Sequence, residues 1–237
     1  MYDNSNFVNK IKPLLSTYHN KQFFLRDDGE NTGVNVDLSA RCGLECSRCQ
    51  RQTYFDDIKE IPGHDLTLED FDKITDMFQT INFCGQLSDP VHNKNFIDIL
   101  KLCRSKNVGG TIHNASSLKS KEWYIEAFKA HTDLKWVFGI DGLPKDSHKY
   151  RTNQDGEKLF DIMIESKKYL NITPVWQYII FRYNENDIDE AKKLAQDNDI
   201  NFNLNYSSKW FSEDDPLMPL NKNYRIWSDQ YGEKKYE

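Results

Sequence analysis

The sequence lacks any stretch approaching the ~18 apolar residues that a membrane span requires. Its first residues, Met1–Ser5, also lack the charged-then-apolar plan of a secretory signal. Both absences point to a cytoplasmic protein without a membrane partner. There is no internal repeat, no low-complexity tract and no obvious linker, so one domain with short flanks is the economical reading. An excess of basic charge is missing too: 31 Lys and Arg against 37 Asp and Glu give a net charge of −6. That balance argues against a strongly basic nucleic-acid binder, although small basic sites remain open. Cysteine is scarce and odd in number, with five in the chain and three of them crowded into one short run. Such crowding fits a reducing compartment and metal binding better than a disulfide framework.

What is present is enough for a substantial core. Apolar residues make up a modest 38%, but aromatics contribute 13%. A chain of 237 residues hides roughly 70% of its unfolded surface. Strand and helix patterns alternate from residue 34 onward. Val34, Val36 and Leu38 alternate with Asn35 and Asp37, a period-two strand. Leu68, Phe71, Ile74 and Met77 follow at helical spacing, with Thr67 as the N-cap. Ile81–Cys84 reads as a strand, and Phe96, Ile99, Leu100 and Cys103 mark a helix. Thr111–Asn114 and Leu134–Ile140 read as strands, with the helix Lys119–His131 between them. The helix Glu157–Leu170 precedes Val175–Phe181, an apolar run suited to a buried parallel strand. Ile188, Ala191 and Ala195 carry a helix to Asp199, and Phe202, Leu204 and Tyr206 alternate with Asn201, Asn203 and Asn205. Six such periods predict an α/β fold with a parallel sheet, open or curled into a barrel. The Asn and Asp stripes on the first and last strands fit either a partly open barrel with a wet lumen or plain exposed edges.

The chemistry sits in Asp37–Arg51, where Cys42, Cys46 and Cys49 are spaced C-x3-C-x2-C. Three thiolates in so short a run can hold three irons of a 4Fe-4S cluster and leave the fourth open to a small molecule. Structural zinc is the main competitor, but it takes four protein ligands, commonly in paired knuckles. Here a single C-x2-C occurs, and His64 has no partner histidine nearby. Unrelated buried cysteines are the third reading. Cys84 and Cys103 lie apart from the run.

On this motif the chain resembles the radical S-adenosylmethionine (SAM) enzymes, and among them the SPASM/twitch-type branch of peptide-modifying enzymes. The resemblance spans roughly residues 34–206 and implies a partial (β/α)6 barrel of the TIM-like type. It divides the chain into an N-terminal extension, 1–33, a core, 34–206, and a short C-terminal extension, 207–237. Phe83–Pro90 stands where the family carries a Gly-Gly-Glu-Pro-like turn, which implies that Gly85, Gln86 and Ser88 meet the SAM amino group. Phe138–Leu143 with His148–Arg151 resembles a Ser-Ile-Asp-Gly stretch and its downstream Tyr-Arg. That implies Asp141 and Arg151 at the ribose and carboxylate; the family's Ser is Gly139 here. Trp176–Asn186 resembles the fifth strand and its polar turn, making Gln177 and Asn114 candidate contacts to SAM or substrate. His113 is a possible proton donor. The residue before the third cysteine, commonly aromatic in the family, is Arg48, for which Tyr54 or Phe55 could substitute. Arg41, Arg48 and Arg51 would offset thiolate charge.

The resemblance implies an enzyme in which Cys42, Cys46 and Cys49 hold the 4Fe-4S cluster and SAM chelates the open iron. Reductive cleavage of SAM would then yield a 5′-deoxyadenosyl radical that abstracts hydrogen from a substrate. An electron donor such as flavodoxin or ferredoxin is implied, and no further catalytic residue is assigned. No cysteine follows Cys103, so the auxiliary clusters of full SPASM proteins cannot be built from the tail, whose Trp210, Phe211, Asp214 and Asp215 cap the mouth or wrap the outside. The substrate stays open between a peptide, a nucleotide and a small molecule. A non-catalytic cluster- or zinc-binding regulatory or adaptor module is the alternative.

Overall fold

Capping and periodicity decide most of the elements. In the computed structural model, which describes residues 23–27, 32–59, 61, 63–84, 87–229 and 232–235, strand β1 (Phe23–Asp27) runs antiparallel to β2 (Thr32–Val36). Two helices follow, α1 (Gln50–Ile58) and α2 (Leu68–Met77). Thr67 closes a capping box on α2: its hydroxyl accepts from Asp70 N at 3.1 Å, and the Asp70 carboxylate accepts from Thr67 N at 3.3 Å. Next come β3 (Thr80–Phe83), α3 (Phe96–Ser105), β4 (Gly109–Asn114) and α4 (Lys121–Ala130). The chain continues through β5 (Lys135–Gly139), α5 (Gly156–Ser166), β6 (Val175–Ile180), α6 (Ile188–Asp197) and β7 (Asn201–Tyr206). A hairpin, β8 (Ile226–Asp229) with β9 (Gly232–Lys235), lies beyond.

The main sheet keeps strict chain order, β1 to β7, and its strands from β2 to β7 are parallel. Its first and last strands do not pair with each other, so the sheet is an open, partial barrel. Helices follow five of the six parallel strands; after β7 no α-helix occurs among the described residues. Two predicted helices come out shorter than their apolar pattern. The Ser120 hydroxyl accepts from Trp123 N and starts α4 two residues late, and α5 stops at Ser166 rather than Leu170. Helix α1 and strand β1 escape pattern reading because neither carries a clean apolar period.

The face of each strand toward the helices is apolar and closed. Trp136 sits at its centre, with Phe128 at 4.8 Å edge-on, Phe138 at 5.8 Å stacked and Phe96 at 6.2 Å edge-on. The opposite face is polar. Register places Asn35 beside Asn82, whose amide donates to it at 3.2 Å, and Asn203 beside Gln177. Asn201 and Asn203 lie on this inner face and are also exposed. The stripe on β2 is therefore not an exposed edge, since β2 lies between β1 and β3 and Asp37 is fully buried, whereas the stripe on the edge strand β7 is exposed at Asn201 and Asn203.

Trp136 Nε1 is buried with no partner, so its value is packing alone. Trp136→Ala is expected to cost about 3–5 kcal/mol in urea unfolding, whereas Trp136→Phe, which loses no hydrogen bond, should cost clearly less.

Candidate functional site

The carboxyl ends of the strands open into a cavity of about 460 Å³. Cys42, Cys46 and Cys49 line it together with Ser88, Asn114, Arg151 and Gln177, so five stretches of chain between residues 42 and 177 converge there. Of the other candidate residues, Asp141 lies fully buried behind Arg151, and Gly85 and Gln86 fall outside the described residues. His113 lines the cavity; the side chain of Tyr54 is outside the described residues, and Phe55 is exposed on α1.

The cysteine loop leaves β2 and is held from several sides. Arg41 pairs with Asp65 and donates to His92 O at 2.6 Å. Gly43 N donates to His92 Nε2 at 3.3 Å, and Glu45 N to Thr152 O at 3.2 Å. Cys49 N closes a turn on Cys46 O at 3.0 Å, and Cys49 is then the N-cap residue of α1. Burial pushes the Cys42 thiol up to about 12, with Asp89 adding to the effect. Burial likewise raises Cys46 to about 11, against the pull of the Arg151 guanidinium. Cys84 belongs here too. It continues the inward alternation Asn82, Cys84 beyond β3 and lines the same cavity, although sequence distance set it apart.

Two buried carboxylates build the next walls. Asp37 Oδ1 accepts from Leu87 N and Ser88 N at 3.2 Å each and from Ser88 Oγ at 3.1 Å. Asp89 accepts from Ala115 N at 2.7 Å, Ser116 N at 2.9 Å and Val91 N at 3.3 Å. Burial lifts the Asp89 carboxyl to about 6 despite those donors. Asn114 is almost fully buried; its Oδ1 takes Tyr124 OH and Ser116 N at 3.2 Å each, and its Nδ2 has no partner.

Arg151 explains why glycine stands at 139. A Cβ there would lie 2.6 Å from Arg151 Nη2, so the guanidinium occupies the space a serine would need. Behind it Asp141 Oδ2 sits 2.8 Å from Arg151 Nε, while Asp141 Oδ1 accepts from Ile179 N at 2.7 Å. Asp141 keeps Arg151 firmly protonated, outweighing the effect of burial. On the far side Arg48 pairs with Asp215 at 2.8 Å, and Trp210 and Met218 are buried with Leu44, Cys46, Tyr150 and Phe181. The C-terminal segment thus packs onto the cysteine loop.

Among the described residues no three His, Cys, Asp or Glu side chains converge on a point where one metal ion could sit. A cubane cluster makes a different demand: each thiolate holds a separate iron, so the donors must surround a body. Three cysteines on the wall of one roomy cavity fit that demand.

Solved structures with this architecture decide the fold. The chain superposes on Streptococcus suis SuiB with a TM-score of 0.62 at 14% identity, over 80% of this chain and 42% of that one. A radical SAM methyltransferase from Sphaerobacter thermophilus gives 0.62 at 10% identity, over 83% and 62%. Native anSMEcpe with bound AdoMet and Cp18Cys peptide gives 0.54 at 13% identity, over 76% and 52%. The fold is that of the radical SAM enzymes. No protein-family model and no curated protein matches the sequence. The chain spans less than half the length of SuiB. Within the radical SAM fold, the cysteine loop after β2 and the strand-end cavity occupy the carboxyl-terminal mouth of the partial barrel.

Arg151→Ala should cost about 3–5 kcal/mol, because it strands the buried Asp141 carboxylate. Gly139→Ala should cost about 1–3 kcal/mol by crowding the guanidinium. Both are read from urea unfolding; a Gly139→Ala protein as stable as the parent would refute the close packing at this strand.

Proposed function

We propose that this protein is a radical SAM enzyme whose Cys42, Cys46 and Cys49 hold a 4Fe-4S cluster. The observation that carries the proposal is the meeting of the three cysteines with Ser88, Asn114, Arg151 and Gln177 around one strand-end cavity of this fold. When bound, the cluster supplies the electron that cleaves SAM reductively and so generates a 5′-deoxyadenosyl radical able to take hydrogen from a substrate.

The chain's own residues bind, orient and exclude. Arg151 offers a permanently charged donor suited to the SAM carboxylate, and Asp141 fixes its direction. Asn114, which lines the same cavity, is a second candidate contact. Ser88, whose hydroxyl is held by Asp37, suits the SAM amino group, and the resemblance adds Gly85 and Gln86 as candidates there. Gln177, on the inner face, suits the adenine or the substrate. Asp141 itself touches no ligand in this scheme and acts through Arg151.

The core is residues 34–206, with 1–33 and 207–237 as extensions. A cytoplasmic setting and an electron donor such as flavodoxin or ferredoxin go with the radical SAM reading. No helix among the described residues is long and apolar enough to cross a membrane. Peptides are the first substrates to screen, since SuiB was solved bound to precursor peptide SuiA and anSMEcpe with a peptide.

Anaerobic iron–sulfur reconstitution followed by EPR of the reduced protein tests the assignment. The expected result is a cubane signal that changes when SAM is added, together with formation of 5′-deoxyadenosine. Cys→Ala at 42, 46 or 49 should abolish both. A colourless protein holding one zinc, or SAM cleavage surviving in the triple variant, would overturn it.

A further inference from the structure

Between Ser207 and Tyr224 the chain packs against the cysteine loop, and Lys209 joins the cavity lining. One side of this segment is anchored just beyond β6. Arg182 donates from Nε to Met218 O at 2.9 Å and from Nη2 to Asp215 O at 3.0 Å. The Glu185 carboxylate accepts from Leu220 N at 3.0 Å and Asn221 N at 2.9 Å. The other side reaches the cysteine loop through Asp215, whose side chain is fully buried. Its Oδ2 accepts from Arg48 Nη2 at 2.8 Å and Phe211 N at 2.9 Å, and its Oδ1 from Leu217 N at 2.9 Å. Arg48 stands between Cys46 and Cys49, and the Phe211 ring centre lies 3.8 Å from its guanidinium carbon.

We infer that Asp215 is a positioning residue for the cysteine loop: it holds Arg48, and through it the turn carrying Cys46 and Cys49, making the 207–224 segment a wall of the site. The inference deepens the radical SAM reading and rests on it for the group being positioned. Apolar contacts already seat the segment, since Trp210 and Met218 are buried against Leu44 and Cys46. A buried ion pair adds little net stability compared with well-packed apolar side chains. What it adds is direction, because a guanidinium fixed by a carboxylate and by a ring face has one place to be.

The test begins with the metal-free protein. Iodoacetamide labelling of Cys46 and Cys49, followed by mass spectrometry, should accelerate severalfold in Asp215→Asn, because the turn that carries the two thiols loses its anchor. Cys103, buried in α3, serves as the control and should not change. If Cys103 also accelerates, the variant has lost its fold, and the double variant Arg48→Met/Asp215→Asn, which removes both charges and keeps an acceptor for the backbone donors, replaces it with the same expectation. After reconstitution, iron release to a chelator should quicken roughly tenfold or more, the range typical when a supporting contact of a ligand is removed. Unchanged labelling in a folded variant would overturn the inference. Accelerated labelling in a protein that takes up no iron would leave Asp215 in its role and overturn the radical SAM reading instead.

Discussion

Buried carboxylates at the strand ends hold the mouth of this barrel together. Each belongs to one loop and accepts backbone N–H groups from the next. Asp37, at the end of β2, takes Leu87 and Ser88 in the loop after β3. Asp89, in that loop, takes Ala115 and Ser116 in the loop after β4. Asp141, after β5, takes Ile179 on β6. The step from β4 to β5 is bridged by Gln154, whose amide donates to Ala115 O at 2.6 Å and Gly139 O at 2.9 Å. A loop without regular structure has backbone donors that must find acceptors when buried. A carboxylate can satisfy several at once, and its charge makes each bond stronger than a neutral one. The arrangement fixes the loops in sequence around the rim, so the position of each cavity residue depends on its neighbour's acid.

The cost of that design is buried charge, and the arginines offset it. Asp141 is matched by Arg151 and Asp215 by Arg48. Asp89 has backbone donors and a more distant guanidinium, and its carboxyl rises accordingly. The same guanidinium lies near Cys46 and favours its thiolate. One cation therefore serves the loop scaffold and the cysteine site together, which is why Gly139 must leave room for it.

Legibility in the sequence followed the range of the interaction. Val34, Val36 and Leu38 announced β2 because alternation is local, and Thr67 announced α2 because a cap reaches three residues ahead. The cysteine run was readable for the same reason: its ligands share one short loop. Cys84, Asp37 and Asp215 were not readable as site residues. Their partners lie 47, 50 and 167 residues away, across the sheet or across the whole chain. Arg48 stood out as a departure from the family pattern, yet its partner in the C-terminal segment could be named only from the fold. Helix α1 was hidden for another reason: it starts on Cys49 and carries no apolar stripe, so its position comes from the loop before it.

The openness of the barrel follows from the residues inside it. A closed eight-stranded barrel fills its interior with branched aliphatic side chains in layers. Here the inner face presents Asn35, Asn82, His113, Gln177 and Asn203, which would each need a partner if the wall closed over them. Six parallel strands with an unjoined edge leave part of that face open, and Asn201 and Asn203 at the edge are exposed. Polar lining and incomplete closure are thus two statements of one constraint. The space between the cysteine loop and the open edge can therefore admit a polar ligand without stripping every donor and acceptor of its hydrogen bonds. An apolar barrel with the same cysteines would have no such volume to offer.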